Sequence, residues 1–253
     1  MTDEKIKEIL ITELEKAENI WNDVKDDILE KSNRTFSALN ESYTPSSIPG
    51  FPMLKNGEGK VGQFIALVLD TRDSSKHLLQ AISNKTGVSQ LQRVLYENTA
   101  INTIGLILVN QNNGSITEFL GDGFLSIFSA EDNNSVYKPK KVAEEFIRLL
   151  RTMINPLLKE RYDLPELKVG IGIAYSKAIV TVIGFDEDLF PKAIGECVYR
   201  ASKLSNGYNE ILYDDSIKRF WPSSKGGQLS FQEKKHKNSE KGIKGYITIK
   251  KNG

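Results

Sequence analysis

Two acidic residues stand where a chain can do chemistry. Asp70 closes an apolar, partly β-branched run at 63–69 and is followed by the polar turn Thr71-Arg72-Asp73-Ser74-Ser75, a pattern that predicts a buried strand ending in a carboxylate. Asp122 lies in Leu120-Gly121-Asp122-Gly123, between short strand-like runs at 115–119 and 124–128, which predicts a hairpin with an acidic tip. If the first strand lies beside this hairpin in one sheet, the carboxylates converge. Mg²⁺ and Mn²⁺ take oxygen ligands, typically one or two carboxylates completed by substrate phosphates and water. The pair therefore predicts a divalent-cation site for a phosphorylated substrate. A Gly-Asp-Gly alone is also a common hairpin turn. The 71–75 turn can present successive N–H groups to phosphate oxygens, and it can equally be a helix cap, since Asp73, Ser74 and Ser75 are all capping residues. No Gly-x-x-x-x-Gly-Lys-[Ser/Thr] phosphate loop occurs in the sequence.

The elements that must position these residues follow from periodicity. Apolar residues at helical spacing from Ile6 to Ile28 predict an N-terminal amphipathic helix, packed on its own domain or pairing in a dimer. Residues 32–62 collect Ser, Asn, Pro and Gly and predict an irregular connector. The expected division is residues 1–61 as helix and connector and 62–253 as the main domain. Within the latter, helices are predicted at about 75–84 and 88–111, a long one at about 139–161, and another at about 193–206. A second hairpin is predicted from 168–175 and 178–184, with shorter strands near 210–213, 228–232 and 245–250. The order β-α-β-β-α-β is that of a ferredoxin-like α+β unit.

Composition narrows the function classes. The chain has 253 residues, 39% hydrophobic and 26% charged, enough for one good core. A net charge of +1 leaves no global field to attract nucleic acid or an anionic membrane. One cysteine, Cys197, excludes an internal disulfide and a Cys-rich zinc site, and two histidines, His77 and His236, make no metal cluster. The N-terminus has no apolar signal region and no run approaches a membrane span, so a cytoplasmic protein is expected.

Over about residues 62–250 the sequence resembles the class III nucleotidyl cyclases. The matching segments are Ile65-Ala66-Leu67-Val68-Leu69-Asp70-Thr71-Arg72-Asp73-Ser74, Phe119-Leu120-Gly121-Asp122-Gly123-Phe124-Leu125-Ser126-Ile127-Phe128, Val169-Gly170-Ile171-Gly172-Ile173-Ala174, and Ile194-Gly195-Glu196-Cys197-Val198-Tyr199-Arg200-Ala201-Ser202-Lys203-Leu204. The resemblance implies a homodimer with composite active sites, in which one chain supplies metal ligands and the other the 195–204 helix. It implies two divalent cations, Mn²⁺ or Mg²⁺, held by Asp70, the carbonyl of Thr71 and Asp122. These would activate the ribose 3′-hydroxyl of a nucleoside triphosphate for displacement of pyrophosphate.

The departures from the family pattern bear on the substrate. Purine cyclases usually carry Asn and, four residues later, Arg on the completing helix; here Tyr199 and Lys203 stand one turn apart on a shared face. Lys203 can neutralise transition-state charge as a point cation, and Arg200 is a possible substitute. Glu118 falls where adenylyl cyclases resemble one another in having Lys and guanylyl cyclases in having Glu; Lys192 falls where adenylyl cyclases have Asp. A carboxylate accepts from N–H and an ammonium donates to a carbonyl, which suits uracil, guanine and, less obviously, cytosine. Tyr199 in place of an amide favours the smaller ring. The chain also looks like the Pycsar pyrimidine cyclases of bacterial antiphage defence, through the segment Tyr43-Thr44-Pro45-Ser46-Ser47-Ile48-Pro49 and the 70–74 turn. That resemblance implies cyclic UMP, or cyclic CMP, as a second messenger for a separate cyclic-nucleotide-sensing effector. Arg72, Asp73 and Ser74 are candidate phosphate contacts. Lys241 and Lys244 both fit the family's triphosphate-binding lysine before the last strand, and a solvated basic edge strand fits the same residues. A guanylyl cyclase, or a degenerate cyclase-like binding domain, is the alternative.

Overall fold

The computed structural model describes residues 19, 22–23, 43–79, 90–185, 187–223, 227–239 and 242–250. Apart from Asn19, Asn22 and Asp23, which are helical, the predicted N-terminal helix falls outside these residues, as does Lys241. Among the described residues, those up to Gln63 together with Lys177–Gly195 form one compact unit, and those of Phe64–Ser176 and from Glu196 onward form the other.

The main sheet has the strands β3 (Gly59–Thr71), β4 (Gly114–Leu120), β5 (Gly123–Ser129), β6 (Val169–Phe185), β8 (Glu210–Tyr213), β9 (Leu229–Lys234) and β10 (Gly245–Lys250). Their order is β4-β5-β3-β6-β8-β10-β9. Antiparallel β5 lies between β4 and β3, so the first four strands have the split β-α-β order of a ferredoxin-like unit. The helices are α1 (Ser74–Leu79), α2 (Gln90–Gln111), α3 (Tyr137–Leu149), α4 (Asn155–Tyr162), α5 (Glu196–Leu204) and α6 (Asp215–Phe220).

Period-two alternation decides which sheet face the helices cover. Ile65, Leu67 and Leu69 of β3 and Phe124 and Phe128 of β5 join Ile101 and Val109 of α2 and Phe146 of α3 in one core. Their neighbours Ala66, Val68, Leu125 and Ile127 are also buried, and alternation assigns them to the opposite face. Asp70, two residues beyond Val68, belongs to that second face.

Several expectations are corrected. The stretch 168–184 is not a hairpin: β6 runs unbroken from Val169 to Phe185, and the hairpin forms between its far half and β7 (Asp188–Gly195), with Ala178 opposite Gly195. Tyr175-Ser176-Lys177 has the polarity of a turn but is only half-buried extended strand. Residues 193–195, predicted as helix, belong to β7, so α5 starts at Glu196. The first strand begins at Gly59, and the connector contains a small hairpin of β1 (Tyr43–Pro45) and β2 (Met53–Lys55). The predicted long helix is α3 and α4 joined by a π-helical segment, Leu150–Ile154.

The glycines of 169–174 have a specific use. A Cβ on Gly172 would stand 2.0 Å from the carbonyl oxygen of Ala201, and one on Gly170 would stand 2.2 Å from that of Ser205. α5 and the turn after it therefore lie directly on β6, which only a side-chain-free strand surface permits.

Candidate functional site

Strand pairing places the two aspartates. Asp70 is registered opposite Gly123, and the Thr71 N–H donates to the Asp122 carbonyl at 2.9 Å. The backbones approach so closely that a Cβ on Gly123 would fall 2.0 Å from the Leu69 oxygen, so this turn position requires glycine. Asn98 of α2 donates from its side-chain amide to the Gly121 carbonyl, tying the acidic tip to the long helix. Nothing in the sequence marked Asn98, because its partner lies far along the chain.

The carboxylates are held by different donors. Ser74 Oγ donates to Asp122 Oδ2 at 2.5 Å, and Arg72 Nη1 donates to Asp70 Oδ2 at 2.5 Å. Burial, and then the negative charge of Asp122, push the Asp70 carboxyl up to about 6, against the opposing pull of Arg72. Asp73 takes a left-handed backbone, φ 60°, and its carboxyl is held below the usual range, chiefly by the hydrogen bond from Lys76. Thr71 is buried, and its hydroxyl has no hydrogen-bond partner.

The donor set fits a hard divalent cation. The carboxylate oxygens of Asp70 and Asp122 and the backbone carbonyl of Thr71 are all oxygen ligands of the kind Mg²⁺ and Mn²⁺ prefer. A cation would relieve the repulsion that the Asp122 charge exerts on the Asp70 carboxylate. Among the described residues no group of three or more His, Cys, Asp or Glu is arranged to hold a metal, so substrate phosphates or water must complete the shell.

A β-bulge aims Glu118. Ile116 is paired with Ser126 and Glu118 with Leu125, leaving Thr117 as the extra residue. Ser126 and Leu125 point to opposite faces, so Ile116 turns to the helix-covered core while Glu118 joins the face of Leu125, Val68 and Asp70. Without the bulge Glu118 would share the face of Ile116.

On α5, Tyr199 is 56% exposed, and the Lys203 ammonium lies over its ring at 5.4 Å from the centroid. Arg200 instead faces Glu196 at 3.1 Å and the buried Asp214 at 3.9 Å. Lys244 is exposed just before β10. Lys192 belongs to the smaller unit, opposite Thr181 in the β6–β7 hairpin, whose Ile183, Phe190 and Ile194 are about half exposed. Tyr208 was not singled out from the sequence, yet its ring lies beneath the Arg72 guanidinium, 5.5 Å to the centroid.

The fold recurs in solved structures. The chain is similar to the guanylyl cyclase Cya2, with a TM-score of 0.60 at 17% identity over 75% of this chain and 93% of that one. It is similar to the adenylyl cyclase CyaB from P. aeruginosa, with a TM-score of 0.61 at 15% identity over 77% and 97%. The fold is that of the class III nucleotidyl cyclases. The guanylate cyclase domain of RhGC from Catenaria anguillulae, solved in complex with GTP, matches this cyclase fold at a TM-score of 0.54 and 16% identity, over 76% of this chain and all of that one. No family model and no curated protein sequence matches the chain. No helix among the described residues is long and apolar enough to cross a membrane.

The raised carboxyl gives a pH prediction. In the cation-free protein Asp70 retains a proton below about pH 6, whereas the unfolded chain releases it near pH 4. Stability should therefore fall as pH rises through that window, and the full repulsion should be present above it. Mn²⁺, if Asp70 and Asp122 hold it, would relieve the repulsion above pH 6 and would have to displace a proton below it. Thermal melts should show a larger Mn²⁺-induced rise in Tm at pH 7.5 than at pH 5. An equal rise at both would contradict the assignment of the cation to Asp70.

Proposed function

We propose that this chain is a pyrimidine nucleotide cyclase converting UTP, with CTP second, to the 3′,5′-cyclic nucleotide and pyrophosphate. The observation that carries the reaction type is the convergence of Asp70 and Asp122, on neighbouring strand ends, in a cyclase fold. A divalent cation pair, when bound, supplies Lewis acidity at the ribose 3′-oxygen and the α-phosphate. Asp70, Asp122 and the Thr71 carbonyl hold and orient it. The 3′-oxygen forms a bond to the α-phosphorus as the bond to the pyrophosphate oxygen breaks, and the hydroxyl proton leaves to solvent. Lys203 neutralises charge growing on the α-phosphoryl oxygens; Arg200, engaged with Glu196 and Asp214, orders α5. Arg72, Asp73, Ser74, Lys244 and Lys241 are the proposed phosphate contacts.

The base assignment rests on charge and shape. Glu118, aimed by its bulge to the face of Asp70, accepts from the uracil N3–H, Lys192 donates to a ring carbonyl, and Tyr199 reduces the space for a purine. The half-exposed apolar face of the β6–β7 hairpin and the exposed Tyr199 and Phe119 support a homodimer with shared sites. In antiphage defence such a product would act on a separate effector. The domain proposal is residues 62–253 as the catalytic part.

Purified protein with Mn²⁺ and each nucleoside triphosphate in turn tests this. UTP should show a kcat/KM at least about tenfold above GTP, the order of penalty that crowding a purine against Tyr199 gives, with ATP lowest. Cyclic GMP as the sole product would move the assignment to a guanylyl cyclase, the alternative that Glu118 also permits.

A further inference from the structure

Arg72 is an unusual neighbour for a cation site. Its Nη1 donates to Asp70 Oδ2 and stands 3.5 Å from the Ser205 carbonyl at the end of α5. Its guanidinium lies over the Tyr208 ring, and the Tyr208 hydroxyl in turn reaches Asp73 at 3.4 Å. The Arg72 backbone N–H is fixed to the Lys168 carbonyl at 2.7 Å. The side chain is only 20% exposed, and its Nε is buried without a hydrogen-bond partner. A guanidinium paired at one end, stacked on an aromatic face and unpaired at Nε is held by its surroundings rather than by its own hydrogen-bonding capacity.

We propose that Arg72 is a built-in counter-cation of the Asp70 carboxylate, held there by the Tyr208 ring and the Ser205 carbonyl, and that a divalent cation must displace it to load. This rests on the assignment of Asp70 as a metal ligand. Arg72 occupies part of the Asp70 carboxylate, and its positive charge at that distance repels an incoming dication, so the two cations compete for Asp70. The displaced guanidinium then requires another anion, and the triphosphate brings one. Metal and nucleotide accordingly load together, and the metal alone binds weakly. Tyr208 and Ser205, which touch neither metal nor substrate in this account, are positioning residues that set the strength of the competition.

Mn²⁺ binding without nucleotide, followed by the loss of the free-ion paramagnetic resonance signal, tests this on the whole chain, with circular dichroism confirming that each variant is folded. Arg72→Gln should bind Mn²⁺ about tenfold more tightly than the parent, the size of one partly buried charge-assisted hydrogen bond. Removing any nearby positive charge would have some such effect, so the uncharged substitutions decide. Tyr208→Leu should tighten binding about threefold, by loss of the stacking surface, and Tyr208→Phe, which keeps the ring, should match the parent. Equal affinities for Tyr208→Leu and the parent, or an Arg72→Gln variant that binds no more tightly, would overturn the proposal while leaving the metal site standing. If neither the parent nor Arg72→Gln binds more Mn²⁺ than Asp70→Asn does, the metal site itself fails and the proposal with it.

Discussion

Asp122→Asn is expected to lose cyclisation while keeping, or slightly raising, the stability of the metal-free protein. The amide preserves an oxygen to accept from Ser74 Oγ and leaves the Thr71–Asp122 backbone bond untouched, so the turn between β4 and β5 has no reason to open. What disappears is one anionic ligand of the proposed cation. Losing roughly 4 kcal/mol of transition-state stabilisation corresponds to about a thousandfold in rate. Removing the charge of Asp122 also removes one of the two causes that raise the Asp70 carboxyl, so the metal-free Tm above pH 6 should not fall. Activity and stability would then move independently, as expected where function retains repelling groups. Parallel losses in both would mean that Asp122 serves the hairpin and not the chemistry.

The second large effect concerns the shared site. Asp122→Ala and Lys203→Ala chains should each be inactive alone, and their equimolar mixture should recover about one quarter of the parent activity. Random exchange makes half of the dimers hybrid, and each hybrid has one site with both its aspartates and its lysine intact. The recovery is read as product formation after exchange has been shown by differently tagged chains. Exchange without recovery would place both groups in one chain's own site. Lys203 suits this test because it lies on an exposed face beside Tyr199, whereas Arg200 would report on Asp214 and the packing of α5 as well.

Much of this site is legible in the sequence, for local reasons. The strand ending at Asp70 and the hairpin carrying Asp122 announce themselves through short apolar runs bounded by polar or glycine-bearing turns. The long-range register was not legible. Tyr175-Ser176-Lys177 has the composition of a turn, and only pairing with β7 and β8 shows that β6 passes through it. The bulge at Thr117 depends on which residues of β5 stand opposite, so the face taken by Glu118 could not be derived from β4 alone. Asn98 and Tyr208 act on residues distant in sequence, and neither belongs to a recognisable spacing. Arg72 was marked as a phosphate contact; its hold on Asp70 becomes visible only when the strand end and the turn after α5 meet.

The central claim is that the two aspartates serve an intramolecular phosphoryl transfer. It is tested most directly by resolving all products of the four nucleoside triphosphates incubated with the purified chain and Mn²⁺. A 3′,5′-cyclic nucleotide and pyrophosphate should form in equal amounts, from a pyrimidine triphosphate first, with neither product when Mn²⁺ is withheld and about a thousandfold less of both from Asp122→Asn. A folded, Mn²⁺-binding dimer that releases only linear nucleotides, or no product from any of the four, would contradict it.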